Sequence, residues 1–129
     1  MAGILKVDDL RGNTAAGDIT ITSEGGSATM QLQQGLVKMN CSFVQSSATV
    51  QDSFNISSLS DLGTGRTTAN YSNNFSHNNH PLNATSNWDG VLSHDTYGTS
   101  SNEIRGRNGN SGSLADRGHC HLIGSGELA

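Results

Sequence analysis

Apolar side chains are thinly spread along this chain, and where they occur they mostly alternate with polar ones. Ile19 and Ile21 alternate with Thr20 and Thr22, and Ala28, Met30 and Leu32 alternate with Thr29, Gln31 and Gln33. A period of two marks a half-buried strand, and the intervening Gly25-Gly26 predicts a hairpin between the two runs. The clearest alternation follows Gly35: Val37, Met39, Cys41 and Phe43 fall on one face, Lys38, Asn40 and Ser42 on the other. Val50, Phe54 and Ile56 take strand positions around a polar break at Gln51-Asp52. "SDLGTGRT" then supplies a turn in which Gly63 and Gly65 can take positive φ, and the return strand directs Ala69, Tyr71 and Phe75 inward.

Beyond this the pattern weakens. Residues 77–98 show no period, hold the chain's only Pro and only Trp, and are expected to form a surface loop. "NEIRGR", the turn "NGNSG" and "SLADRGHCHLIGSG" are expected to close the domain as a terminal pair of strands, Asn108-Gly109 being a strong hairpin signal. No stretch predicts a helix longer than two turns, and no repeat of roughly 20–50 residues is present. Residues 1–12 read as a short arm, too short to fold alone, whose Ile4, Leu5, Val7 and Leu10 are suited to docking. The predicted fold is all-β: a small antiparallel β-sandwich or barrel-like domain with an extended N-terminal arm. It divides into the arm at 1–12, a β-hairpin and linker at 13–34, and a β-sandwich module at 35–129.

Composition narrows the class. Leu, Ile, Val and Phe make up 25 of the 129 residues, just under the roughly one-fifth associated with intrinsic disorder. Disorder also calls for high net charge, and here that charge is only −4. Short strands, tight turns and association with further copies fit such a chain. Seven Lys and Arg against eleven Asp and Glu argue against nucleic acid as the main partner. Arg105, Arg107 and Arg117 cluster, but with Glu103 and Asp116 among them, as on a solvated strand face. No apolar run approaches the ~20 residues of a membrane helix, and the first residues do not read as a secretory signal, so no membrane insertion and a cytoplasmic origin are expected. On that expectation the sequons at Asn40, Asn55, Asn70, Asn74 and Asn83 are strand and turn composition, and Cys41 and Cys120 are buried free thiols.

Two stretches carry a family resemblance. "MAGILKVDDL" resembles the opening of many tailed-phage virion proteins, which share a MAG-x-LKVD motif. "GLVKMNCSFVQSSATVQDSFNISSLSDLGTGRTTANYSNNF" resembles a module of phage tail-fibre-like proteins, with "HCHLIGSGELA" in the place of its last apolar strand. Together they span about half of the chain, and "DSFNISSLSDLGTG" is the most specific part. Asn40 and Cys41 stand where that module more often has an aromatic and a valine, and the end is unusually rich in His. The resemblance implies a non-enzymatic, commonly trimeric virion protein, assembled in the cytoplasm of a host bacterium. It would be a short tail-fibre-like appendage or tip, docking on other virion proteins of tail or capsid and contacting the host surface. Two alternatives stay open: a capsid decoration (cement) protein stabilising the head lattice, and a carbohydrate-binding module.

The candidate chemistry is sparse. Carboxylates are scattered singly and no nucleophile signature accompanies the histidines, so an enzyme is not expected. Trp88, Asp89 and Tyr97, with Asn around them, are the candidate contact for a receptor or a host cell-surface glycan. The same Trp could equally pack at a subunit interface. His119 and His121 flank Cys120 at strand spacing, so both imidazoles share a face. In a homotrimer with that face on the axis, as the resemblance implies for some fibres, six imidazoles would suit a first-row metal. Otherwise the pair is two surface histidines, and no other cofactor is expected.

Overall fold

The computed structural model describes residues 4–14, 19–22, 25–32, 35–87 and 89–129. The chain forms two compact units, Met1–Leu36 and Val37–Ala129. The described secondary structure is all-β, with three antiparallel sheets and one three-residue 3-10 turn, Gln45–Ser47.

In the first unit, residues 4–14 form no regular element, and Ile4, Leu5, Val7 and Leu10 are all exposed. Strands β1 (Thr20–Thr22) and β2 (Thr29–Gln31) pair with Ile21 opposite Met30. Gly26, at φ 72°, serves the reversal. The hairpin is where the alternation predicts it, but its strands are not half-buried: Ile21 and Met30 are both exposed. A two-stranded hairpin of three residues to a strand buries little by itself.

The second unit holds eight strands: β3 (Met39–Val44), β4 (Thr49–Phe54), β5 (Ile56–Gly63), β6 (Arg66–Tyr71), β7 (Leu82–Ser86), β8 (Gly90–Tyr97), β9 (Ser101–Asn108) and β10 (Cys120–Gly124). They make two four-stranded sheets, ordered β4-β3-β10-β7 and β5-β6-β9-β8. The inner faces share one core. Met39, Cys41, Phe43, Cys120 and Leu122 come from the first sheet, and Ala69, Tyr71 and Ile104 from the second; Phe75, beyond β6, joins them. Along β3, β6, β9 and β10 buried side chains alternate with half-buried or exposed ones, as two facing layers require. Each fully buried large apolar side chain contributes about 1.5–3 kcal/mol, so these few positions carry most of the hydrophobic stabilisation. This is the β-sandwich.

Several expectations are corrected. Val37 is exposed and Lys38 is buried, the reverse of the predicted phase. Both precede β3, and the Lys38 N–H donates to the Gly124 carbonyl at 2.8 Å, so strand alternation starts only at Met39. Val50 and Phe54 lie on one strand, whose register against β3 shifts at Gln51, where the polar break is expected, yet β4 buries no side chain at all. Residues 77–98 are not one loop: they contain β7 and β8. Apart from Leu82, Ala84 and Leu92, their half-buried positions carry Ser86, Gly90, Ser93 and His94, which hides the period there. The last two strands are not a pair either. The turn at 108–112 forms, with Asn108 Oδ1 accepting from the Asn110 N–H at 2.9 Å. Only Arg107 and Leu114 bridge beyond it, after which the chain crosses to place β10 between β3 and β7.

The "DSFNISSLSDLGTG" stretch spans β4, the corner and β5, and polar groups hold it. Asn55 lies at the corner with φ 59°, a conformation that asparagine tolerates better than most side chains. Its Oδ1 accepts from the Asn73 N–H at 2.6 Å and its Nδ2 donates to the Asn73 carbonyl at 3.1 Å. Ser57 donates to main-chain carbonyls of β6. Asp61 accepts from the Gly63 N–H at 2.8 Å, and Asp116 from the Gly65 N–H at 2.6 Å. Gly65, at φ 67°, lies against the Gly106 carbonyl and the Ala115 backbone, where a Cβ would stand 2.6 and 2.7 Å from their atoms. Side-chain to main-chain hydrogen bonds therefore do at this edge what apolar burial does in the centre.

Candidate functional site

The predicted contact residues do not form one site. Trp88 lies outside the described residues. Asp89 sits at the turn before β8, its carbonyl accepting from the Gly109 N–H at 3.0 Å. Tyr97 ends the same strand, roughly 25 Å away at ordinary strand rise. Tyr97 borders a cleft.

That cleft, about 340 Å³ in volume, is lined by Asn78, Asn79, His80 and Tyr97. His80 is buried at its floor, stacked on Phe75 with centroids 3.8 Å apart and planes 3° from parallel. Its Nδ1 lies 3.0 Å from the His77 carbonyl, which can only accept, so Nδ1 carries the proton. Nε2 faces the Tyr71 hydroxyl at 3.4 Å, so both ring nitrogens have partners within the fold. Burial pushes the Tyr71 phenol upward, keeping it the donor. Tyr97 rests beside His94, with centroids 5.5 Å apart, and His94 Nδ1 is 2.5 Å from the Asn102 amide. Burial, and secondarily His80, lower the pKa of His94. Asn78, Asn79, His80, His94 and Asn102 were not singled out by sequence reasoning. In "FSHNNHP" the only available signal was a histidine five residues after Phe75, which no strand or helix period picks out.

His119 and His121 are both exposed, with Cys120 buried between them, as the alternation predicts. His121 lies on β10 opposite Ser42 and Thr85, with Asp52 next to Ser42 on β4. His119 Nδ1 is 3.4 Å from Gln51 Oε1. Among the described residues, no three His, Cys, Asp or Glu groups are placed to hold a metal ion. The two cysteines are free and buried on neighbouring strands. Burial pushes both thiols up to about 11, so neither is a ready nucleophile or ligand.

Elsewhere charges are paired. Glu103 accepts from Arg66 at 2.8 Å and from Arg105 at 3.2 Å, and Arg105 reaches Asp95 at 2.6 Å. The arginine hydrogen bonds, Arg66 first, hold the Glu103 carboxyl below its usual range. Arg107 donates to the Gly112 carbonyl and Arg117 to the Ala115 carbonyl, so the arginine cluster of the sequence is spent within the fold. An apolar groove of about 430 Å³, bordered by Val37, Pro81, Leu82 and Ile123, opens beside β7 and β10. No described helix is long and apolar enough to cross a membrane.

Comparison with protein-family models, curated proteins and solved structures finds no match to this chain.

Proposed function

We propose that this chain is a structural protein of a tailed-phage virion: a short, trimeric, tail-fibre-like appendage or tip that docks on the particle and contacts the host surface. The observation that carries the reading is the amount of exposed large apolar surface on so thin a core. Ile4, Leu5, Val7 and Leu10 stand exposed in one short segment, and Val50, Phe54 and Leu62 stand exposed along the β4–β5 edge. A chain with so thin a core has reason to cover such positions with other proteins and further copies of itself. The motifs "MAGILKVDDL" and "DSFNISSLSDLGTG" support the same reading through their resemblance to virion proteins.

The proposal separates two interfaces. The segment at 1–12 attaches to other virion proteins, while the β-sandwich associates with its copies and faces outward. Deleting residues 1–12 is expected to leave a folded sandwich that no longer enters particles. Normal incorporation of the truncated chain would assign attachment to the sandwich instead. If His119 and His121 meet their copies on a trimer axis, elemental analysis of the purified protein should find about one metal per three chains, as six imidazoles in octahedral geometry require.

A further inference from the structure

We infer that the cleft at the end of β8 is a binding site for a neutral saccharide. The inference deepens the host-contact part of the proposed function. It is read on the isolated chain, whereas the particle role is read by incorporation, so either can fail alone.

The lining has the chemistry for such a ligand and for few others. Tyr97, 45% exposed, offers an aromatic surface at the rim. Aromatic surface of this kind covers the C–H face of a sugar ring while the phenol keeps a polar edge for its hydroxyls. Asn78 and Asn79, both exposed, bring two carboxamides, each presenting a donor and an acceptor. That is the pairing that vicinal hydroxyls or an acetamido group can satisfy.

Among the described residues, no Lys, Arg, Asp or Glu lines the cleft. Both ring nitrogens of His80 are committed to partners within the fold, so the floor offers neither of them to a ligand. A phosphate or carboxylate ligand would find no cation here, and a cationic ligand no carboxylate. The volume of about 340 Å³ lies at the small end of ligand pockets, enough for one or two sugar rings.

The floor is also held in place before any ligand arrives. His80 is locked between Phe75, Tyr71 and the His77 carbonyl, and Tyr97 borders His94, which Asn102 holds. A preformed floor lowers the ordering cost of binding a flexible, well-hydrated ligand. A peptide would use main-chain hydrogen bonds along a strand edge, whereas this lining offers side-chain carboxamides around an aromatic ring.

The test is titration of the ¹⁵N-labelled full chain with neutral saccharides: glucose, galactose, mannose, rhamnose, N-acetylglucosamine and their disaccharides, each to about 10 mM, which detects millimolar affinity. At least one is expected to shift the side-chain amides of Asn78 and Asn79 together with the Tyr97 backbone. Tyr97→Ala should weaken that binding about tenfold or more, the order of 1.4 kcal/mol, while Tyr97→Phe keeps the stacking surface and most of the affinity. The spectra of both variants report whether the fold is intact. No shift with any saccharide, shifts elsewhere on the chain, or affinity indifferent to Tyr97→Ala would overturn the inference. So would a short neutral peptide that moves the same amides when no saccharide does.

Discussion

The sandwich contains two kinds of strand, and its two most informative phenylalanines lie one on each. Phe43, on β3, is fully buried; Phe54, on β4, is 54% exposed, although the two strands are hydrogen-bonded neighbours. β3 and β10 lie inside their sheet and bury every second residue against the opposite layer. β4 and β5 are edges of the two sheets, joined through Asn55, and are built mainly from Ser, Thr, Asn, Asp and Gly. The centre is held by apolar area, the edge by hydrogen bonds from side chain to main chain. The first kind of stabilisation works in an isolated chain. The second fixes a shape without supplying much burial, and it leaves apolar side chains available to a neighbour.

Mutations can break this contrast. The largest effect is expected from Phe43→Ala, which should cost about 3–5 kcal/mol as a buried aromatic lost from a core with little else to close over it. Denaturant unfolding at low protein concentration measures it. Asn55→Ala should follow at about 2–4 kcal/mol, because it loses the Asn73 hydrogen bonds and places an alanine in the left-handed region. Asn55→Gly should recover only the backbone part. A cost under about 0.5 kcal/mol for Asn55→Ala would mean that the corner is not held as described.

A smaller effect concerns pH. His94 has its pKa lowered in the fold by burial, so below 6.5 the unfolded chain binds a proton that the folded chain resists. Stability should fall as pH drops from 6.5 toward the folded value, by no more than about 1.4 kcal/mol per pH unit for this one group. His94→Gln should remove that part of the slope. The smallest effect on the fold itself is expected from Phe54→Ala, within about 0.5 kcal/mol for an exposed position. Its effect on association should be far larger: light scattering should show the wild-type chain near three times 13.5 kDa and the variant lighter.

The same contrast explains what could be read from the sequence. Met39, Cys41 and Phe43, and likewise Ala69 and Tyr71, alternate cleanly because apolar residues fill successive inward positions; those strands were legible. β7 and β8 were not, since their inward positions carry Leu82, Ala84, Leu92 and His94 among Ser, Thr and Asn, and hydrogen-bonded pairing does the rest. The end of the chain misled for another reason. Asn108 does cap a turn, but a local turn signal says nothing of which sheet the next strand joins. The sequence singles out Tyr97 as a contact candidate, yet Asn78 and Asn79, which line the same cleft, lie on the far side of β7 in sequence. Their approach depends on the crossing between sheets, which no local pattern encodes.

Particle association tests the central claim most directly. On the proposed reading a phage encodes this chain, and its particles, purified on a density gradient, would be analysed by quantitative mass spectrometry and by immunogold labelling with an antibody to residues 37–129. The account predicts that the chain co-purifies with infectious particles in several copies per particle, with label on their surface. Particles free of the chain, with all of it left in the host lysate, would contradict it.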